Sequence, residues 1–156
     1  SVLDKYKNQI IITPHPGEMS KITGKSVREI QTNRMKISSD VSRKIKCISV
    51  LKGFRTIISS NSGQIYINGS GNEGMATGGM GDALTGIIAS FIGQGYSELE
   101  STILGVYVHG KAGDSIADVT SKRGILASEI IKKLPKTIKL IEENSSIYSD
   151  LERIEN

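Results

Sequence analysis

The chain of 156 residues is poor in aromatic side chains, with no tryptophan, two phenylalanines and five tyrosines. A hydrophobic core must therefore be built from isoleucine, valine, leucine and alanine, as in sheets flanked by helices. Hydrophobic residues make up 37% and charged residues 23% of the chain, a balance that indicates a globular domain. Only the polar end, from about Ser145 to Asn156, is expected to be frayed.

A single cysteine excludes an internal disulfide. Cys47 lies in the apolar run CISVL, which predicts a buried, unreactive thiol. No run of about 18 apolar residues is present to span a bilayer. The start SVLDKYKNQ also lacks the organisation of a signal peptide. We therefore expect a cytoplasmic protein with no membrane partner.

The formal net charge is only +4, and the basic residues are scattered along the chain. Aromatic and basic residues do not alternate in the way that stacks nucleic-acid bases, so no nucleic-acid partner is expected. A small anionic ligand such as a nucleotide suits this charge.

Short apolar runs bounded by turn residues predict strands first and helices later. Strands are expected over residues 9–13, 46–51, 56–59 and 64–68, the last two joined by a hairpin at residues 61–63. Helices are expected over residues 26–44 with a break near Asn33, over 82–92, from a cap at Ser97, and over 125–134 before Pro135. This order predicts the C-terminal portion of an α/β domain, with an open sheet edge that favours association.

Six glycines lie between positions 69 and 81 and lead directly into an apolar helix. Glycines let the backbone turn its N–H groups toward a ligand, and a helix N-terminus adds unsatisfied N–H groups. Together they predict an anion hole suited to a phosphoryl group. Asp82, at the mouth of that helix, could accept a proton from a substrate hydroxyl, or it could simply cap the helix. No Lys-Ser/Thr pair follows the glycines, so the stretch is not a P-loop.

The string GNEGMATGGMGDALTGIIASFIGQGYS at residues 71–97 resembles the signature of the NAD(P)H-hydrate dehydratases, a ribokinase-like family formerly grouped with carbohydrate kinases. TPHPGEM at 13–19, VLKGFRTII at 50–58, GVYVHGKAGD at 105–114 and GILASEIIKKLP at 124–135 follow in the family's order. The resemblance implies an open, mostly parallel sheet flanked by helices, of which this chain is the C-terminal portion. It also implies ADP- or ATP-dependent dehydration of hydrated NADH or NADPH, by phosphorylation of the ring hydroxyl and loss of phosphate.

The resemblance also implies roles for individual residues. Asp82 would be the catalytic base and touch the substrate, His15 would contact the hydrated nicotinamide, and Asn72 is a further expected substrate contact. The adenine nucleotide would bind to Lys52, Gly53, Phe54, Arg55, Thr56, Gly78, Gly79 and Gly81. Mg²⁺ is expected with the nucleotide, although no carboxylate cluster identifies protein ligands for it. Glu18, His109, Met75 and Met80 are expected to have structural roles.

Two alternatives remain open at this point. A kinase for a small hydroxylated metabolite would use the same anion hole and the same Asp82, but TPHPGE favours the dehydratase branch. A non-catalytic nucleotide-binding fragment would instead associate with itself or with an N-terminal half of the domain through the open sheet edge.

Overall fold

The computed structural model describes residues 10–144 and the backbone of residues 151–154. Its contacts divide the chain into a first unit that ends at Ile67 and takes in residues 152–154, and a second unit from Asn68 to Leu151. The first unit contains β1 (Ile11–Ile12), α1 (Pro16–Thr23), α2 (Val27–Thr32), α3 (Arg34–Ile45), β2 (Ile48–Leu51), β3 (Ile57–Ser59) and all but the last residue of β4 (Ile65–Asn68). The second contains a 3-10 helix, η1 (Glu73–Met75), followed by α4 (Met80–Gly93), α5 (Glu98–Ala117) and α6 (Ala127–Glu143).

The strands form one open sheet in the order β1-β2-β3-β4-β5, where β5 is Leu151–Ile154. The rest of the tail that was expected to be frayed lies outside the described residues. In the described part of the chain, none of the helices has the length and apolarity that a bilayer span needs.

The sheet is mixed. β1 pairs in parallel with β2, whereas β2 with β3 and β3 with β4 pair antiparallel. The expected predominance of parallel pairing therefore does not hold for these three pairs. The reason is that both connections are short, and parallel strands need a crossover of a dozen residues or more. Residues 52–56 join β2 to β3, and the predicted hairpin, in which Ser60 N donates to Gln64 O at 2.9 Å, joins β3 to β4. The α/β class and the open sheet are confirmed, with α3 packed on β2 and β3.

The contact of α3 with the sheet includes buried serines. Ser59 Oγ donates to Ser38 Oγ at 2.9 Å, and Ser38 Oγ donates to Ser49 Oγ at 3.2 Å. All three side chains are buried, but each is hydrogen-bonded, so burial leaves no hydroxyl unsatisfied. Beside them lies an apolar cluster formed by Met19, Ile30, Ile37, Val41, Leu51, Ile57 and Ile65.

The local helix signals are confirmed. Asn33, with φ −127°, separates α2 from α3, as the sequence predicted. Ser97 caps α5 in a capping box: Ser97 Oγ accepts from Glu100 N at 3.4 Å, and Glu100 Oε2 accepts from Ser97 N at 3.0 Å. Both features depend on residues within a few positions of each other, which explains why they can be read from sequence.

The expected end of the last helix before Pro135 is wrong, because α6 runs on to Glu143 with Pro135 inside it. Proline lacks an N–H group and its ring crowds the carbonyl four residues earlier, at a cost of about 3 kcal/mol. Leu134, Ile138 and Ile141, which lie on one face of α6, pack against the core of the second unit. Their burial offsets the cost of the proline.

Candidate functional site

The glycine-rich loop, residues 69–79, ends in a helix whose first turn has no side-chain cap. Gly79 is the N-cap of α4 with φ +82°, a left-handed conformation that favours glycine. No side chain caps this turn, which leaves the N–H groups of Met80, Gly81 and Asp82 without that kind of partner. These N–H groups lie at the position where the sequence predicts an anion hole.

Asp82 is the third residue of α4, so the alternative that it caps the helix is wrong. Its side chain is exposed and makes no hydrogen bond or ion pair with any other residue in the described ranges. A carboxylate in the first turn is favoured by the helix dipole. Asp82 therefore presents free acceptor oxygens beside the uncapped N–H groups.

Asn72, the expected substrate contact in the glycine-rich loop, is bonded at both ends of its amide. Its Nδ2 donates to Asp114 Oδ1 at 2.9 Å, and its Oδ1 accepts from Gly74 N at 3.0 Å. Sequence reasoning assigned no role to Asp114, although this residue ends the segment GVYVHGKAGD. Its other oxygen, Oδ2, accepts from Gly71 N at 2.9 Å.

His109 of α5 lies behind the first turn of α4. Burial lowers the pKa of His109 to about 4, and a hydrogen bond with the Met80 backbone partly offsets this. Because that bond favours the protonated ring, the imidazole N–H donates to the Met80 carbonyl. His109 Nε2 is buried and has no partner among the described residues. The expected packing role of His109 is therefore confirmed, with one ring nitrogen bonded. Met80 is buried, as expected.

In the first unit, His15, Glu18 and Lys52 lie together. His15 is the N-cap of α1, and its Nδ1 accepts from Gly17 N at 3.0 Å and from Glu18 N at 3.2 Å. Glu18 completes a capping box by accepting from His15 N at 2.7 Å, which confirms its structural role. Lys52 Nζ lies 3.7 Å from Glu18 Oε2.

The charges of this group act on Glu18. The hydrogen bond from the His15 backbone lowers the pKa of Glu18, and the positive charge of Lys52 lowers it further. Glu18 is thus held as a carboxylate, while the His15 side chain remains 56% exposed. An open cavity of about 280 Å³ adjoins the group and is lined by Ile12, Thr13, Pro14, Glu18 and Ile22.

The predicted nucleotide segment, residues 52–56, forms the connection from β2 to β3. Gly53 has φ +140° and Arg55 has φ +52°, and Thr56 Oγ1 donates back to Gly53 O at 3.1 Å. Phe54 is 86% exposed. Arg34, which sequence reasoning missed, reaches this connection from α3 and donates through Nη2 to Leu51 O at 3.1 Å.

The predicted site residues therefore fall into two groups. His15 and residues 52–56 belong to the first unit, and Asn72, Gly78, Gly79, Gly81 and Asp82 belong to the second. Within the ranges that the structure describes, no three histidine, cysteine, aspartate or glutamate side chains gather to hold a metal ion. An all-protein metal cage does not fit these residues.

Known proteins resemble this chain in sequence and in structure. The bifunctional NAD(P)H-hydrate repair enzyme Nnr of Moorella thermoacetica is 42% identical over 142 residues, which make up 91% of this chain and 27% of that protein. The ADP/ATP-dependent NAD(P)H-hydrate dehydratase of Bacillus subtilis, co-crystallised with ATP and Mg²⁺, superposes with a TM-score of 0.82 at 34% identity, over 83% of this chain and 47% of that one. A ribokinase-like superfamily protein of Enterococcus faecalis superposes with a TM-score of 0.76 at 34% identity, over 86% of this chain and 45% of that one.

The α/β fold is accordingly ribokinase-like, and the chain spans about a quarter to a half of the length of these relatives. The family model described as NAD(P)H-hydrate dehydratase matches residues 2–136, which is most of the 156 residues. The chain therefore belongs to the NAD(P)H-hydrate dehydratase family.

Proposed function

We propose that this protein uses ADP or ATP to dehydrate the hydrated nicotinamide ring of damaged NADH or NADPH, which restores the intact cofactor. Family membership supports this function, and the relatives from Moorella and Bacillus carry names that describe it. The observation that carries the proposal is the exposed Asp82 carboxylate, which has no partner among the described residues and lies in the uncapped first turn of α4.

The proposed reaction has two steps. In the first, Asp82 accepts the proton of the ring hydroxyl while that oxygen attacks the terminal phosphorus of the nucleotide, and the shortened nucleotide leaves. In the second, the C–O bond breaks, phosphate leaves with the bonding electrons, and loss of a ring proton restores the double bond. Phosphorylation helps because hydroxide is a poor leaving group and phosphate is a good one.

The proposed contacts divide between the nucleotide and the substrate. Uncapped N–H groups at the start of α4 would bind the phosphoryl group during its transfer, next to Gly78, Gly79 and Gly81. Residues 52–56 would bind the nucleotide, and His15, Asn72 and Asp82 would contact the substrate. Mg²⁺ would come with the nucleotide, held by phosphate oxygens and water, because the described residues offer no cluster of ligands. The cytoplasm, where NADH and NADPH are used, is the proposed compartment.

The test is recovery of NADH absorbance from chemically prepared NADH hydrate, with ADP, with ATP or with no nucleotide. We expect recovery only with a nucleotide, and a loss of about a hundred- to ten-thousandfold in Asp82→Asn. Asp40→Asn, which alters an exposed carboxylate of α3, is the matched control and should retain full activity.

Other outcomes would contradict the proposal in different ways. Consumption of nucleotide without NADH recovery, with a phosphorylated product, would indicate a kinase. Full activity of Asp82→Asn would remove Asp82 from the reaction. A homo-oligomer stays a prediction, which the mass of the protein in solution would test.

A further inference from the structure

The glycine-rich loop lies directly on one face of α5. Gly110 and Gly113 of α5 leave space for it: a Cβ atom on Gly110 would come within 2.9 Å of Gly71 N, and one on Gly113 would meet the side chain of Met75. Ser70 Oγ donates to the Tyr107 carbonyl at 3.0 Å on the same face. These positions are three residues apart on the helix and so form one continuous stripe.

Asp114 continues this stripe and supplies its only carboxylate. Both of its oxygens are used by the loop, one by Gly71 N and the other by Asn72 Nδ2, each at 2.9 Å. An ionised carboxylate only accepts hydrogen bonds, so it matches two facing donors. Asn72 links Asp114 to a further point of the loop, because its Oδ1 accepts from Gly74 N at 3.0 Å.

The position of Asp114 in its helix makes a carboxylate unfavourable there on local grounds. It lies in the last turn of α5, where the helix dipole disfavours negative charge. Helix formation therefore does not explain an aspartate at this point, whereas the two loop donors do.

Further contacts hold the rest of the glycine-rich loop, up to the start of α4, against residues 122–127. Lys122 Nζ lies 3.1 Å from Glu73 Oε1, and Thr77 Oγ1 donates to Ile125 O at 3.0 Å. A Cβ atom on Gly79, the N-cap of α4, would come within 3.4 Å of Ala127 Cβ. The loop is thus fixed at short intervals from Gly71 to the residue that begins the uncapped turn.

We propose that Asp114, acting through Asn72, is a positioning residue that sets the path of the glycine-rich loop and so aligns the first turn of α4 for phosphoryl transfer. This inference rests on the proposed function for the reaction that it serves. Asp114 acts on the loop and does not itself touch the reacting atoms.

Exchanging the two side chains tests the proposal. In Asp114→Asn, the new amide can accept from Gly71 N but turns its NH₂ group toward the NH₂ group of Asn72. In Asn72→Asp, two carboxylates face each other. The double variant restores every bond, since Asn at 114 accepts from Gly71 N and donates to Asp at 72, whose other oxygen accepts from Gly74 N.

Amide hydrogen exchange without any ligand is the first readout. We expect exchange at Gly71 and Gly74, whose N–H groups are bonded to Asp114 and Asn72, to accelerate by about tenfold or more in each single variant and to return near the original rate in the double variant. Asp118→Asn, one turn further along and exposed, is the matched control and should leave these rates unchanged. Unchanged exchange in both single variants, or a double variant as fast as they are, would overturn the proposal.

Turnover is the second readout. We expect each single variant to lose roughly ten- to a hundredfold in kcat/KM, mainly through kcat, and the double variant to recover it. If Asp114→Asn fails to fold, Asn72→Ala replaces it in the ligand-free exchange measurement: this variant removes the bridging amide, keeps the bond from Gly71 N to Asp114, and should accelerate exchange at Gly74. Full turnover in the single variants would overturn the positioning role. An unsubstituted protein that turns over no substrate would overturn the proposed function alone, and amide exchange would then decide the role of Asp114 in the loop.

Discussion

Gly105 of α5 lies so close to α4 that a Cβ atom on it would come within 2.6 Å of Ile88 Cγ1 and 3.2 Å of Ile88 Cα. Ile88 is 3% exposed, so its side chain has little room to move. We therefore predict that Gly105→Ala lowers the free energy of unfolding by about 1–3 kcal/mol, the cost of overpacking a core.

Gly86 of α4 provides the matched control for Gly105, because no atom outside the adjoining stretch of its own helix lies within 4 Å of the Cβ that alanine would add. Gly86→Ala should raise stability by up to about 1 kcal/mol through helix propensity alone. Denaturant unfolding of both variants checks the prediction, and equal effects would contradict it.

We predict that the lowered pKa of His109 makes the folded protein less stable in mild acid. The folded protein holds the pKa of His109 at about 4, because its ring is buried. In the unfolded chain a histidine titrates near ~6.5, so as the pH falls the unfolded state takes up the proton first. The stability from this lowered pKa is complete above about pH 6.5 and is lost progressively toward pH 4, by on the order of 3 kcal/mol.

Unfolding free energies of the unsubstituted protein and of His109→Gln, measured across that pH range, check the histidine prediction. Glutamine does not titrate, so the variant should show a weaker pH dependence. Carboxyl groups such as Glu18 contribute equally to both proteins, and the difference between them isolates His109. Parallel pH profiles would contradict the prediction.

The thiol of Cys47 should not react with thiol reagents in the folded protein. It is 1% exposed, and burial raises the pKa of its thiol to about 11, so little thiolate forms at neutral pH. We predict no reaction with a thiol reagent under native conditions and one equivalent after unfolding, since the chain has a single cysteine. Ser128→Cys, which adds a thiol at an exposed position of α6, should react at once. Rapid labelling of Cys47 in the native protein would show that α3 and β2 open locally.

Arg34 should affect nucleotide binding without touching the nucleotide. Its guanidinium donates to Leu51 O and to Gln31 Oε1, and it fills the space beside Gly53. Lysine cannot make both bonds, so we predict that Arg34→Lys weakens ADP binding by roughly three- to tenfold. Arg28→Lys, at an exposed position of α2, is the control for calorimetric titration with ADP. Equal affinity in the two variants would exclude a role for Arg34 in shaping residues 52–56.

Features that depend on neighbouring residues could be predicted from the sequence. The hairpin at residues 61–63, the break at Asn33 and the capping box of Ser97 and Glu100 each require only a few adjacent side chains. The extension of α6 past Pro135 could not, because contacts of Leu134 and Ile138 with other helices outweigh the local signal of the proline.

The same distinction applies to the candidate site. The glycine-rich loop and Asp82 have a strong local pattern, and the sequence placed them correctly at the start of a helix. Asp114 bonds to Gly71, 43 positions away, and Arg34 bonds to the Leu51 carbonyl, 17 positions away. Bonds to distant backbone groups do not depend on the type of the partner's side chain, so a single sequence carries no sign of them.

The cap of α1 also determines which ring nitrogen of His15 carries a proton. Because Nδ1 accepts from two backbone N–H groups, the neutral imidazole must hold its proton on Nε2. A ligand that approaches the exposed edge of the ring therefore meets a hydrogen-bond donor. It has to offer an oxygen or nitrogen lone pair, as a hydroxyl or a carboxamide does, and it shares this edge with Glu18 Oε1, which lies 3.5 Å from Nε2. The helix cap thus favours a hydrogen-bond acceptor as the ligand group that contacts His15.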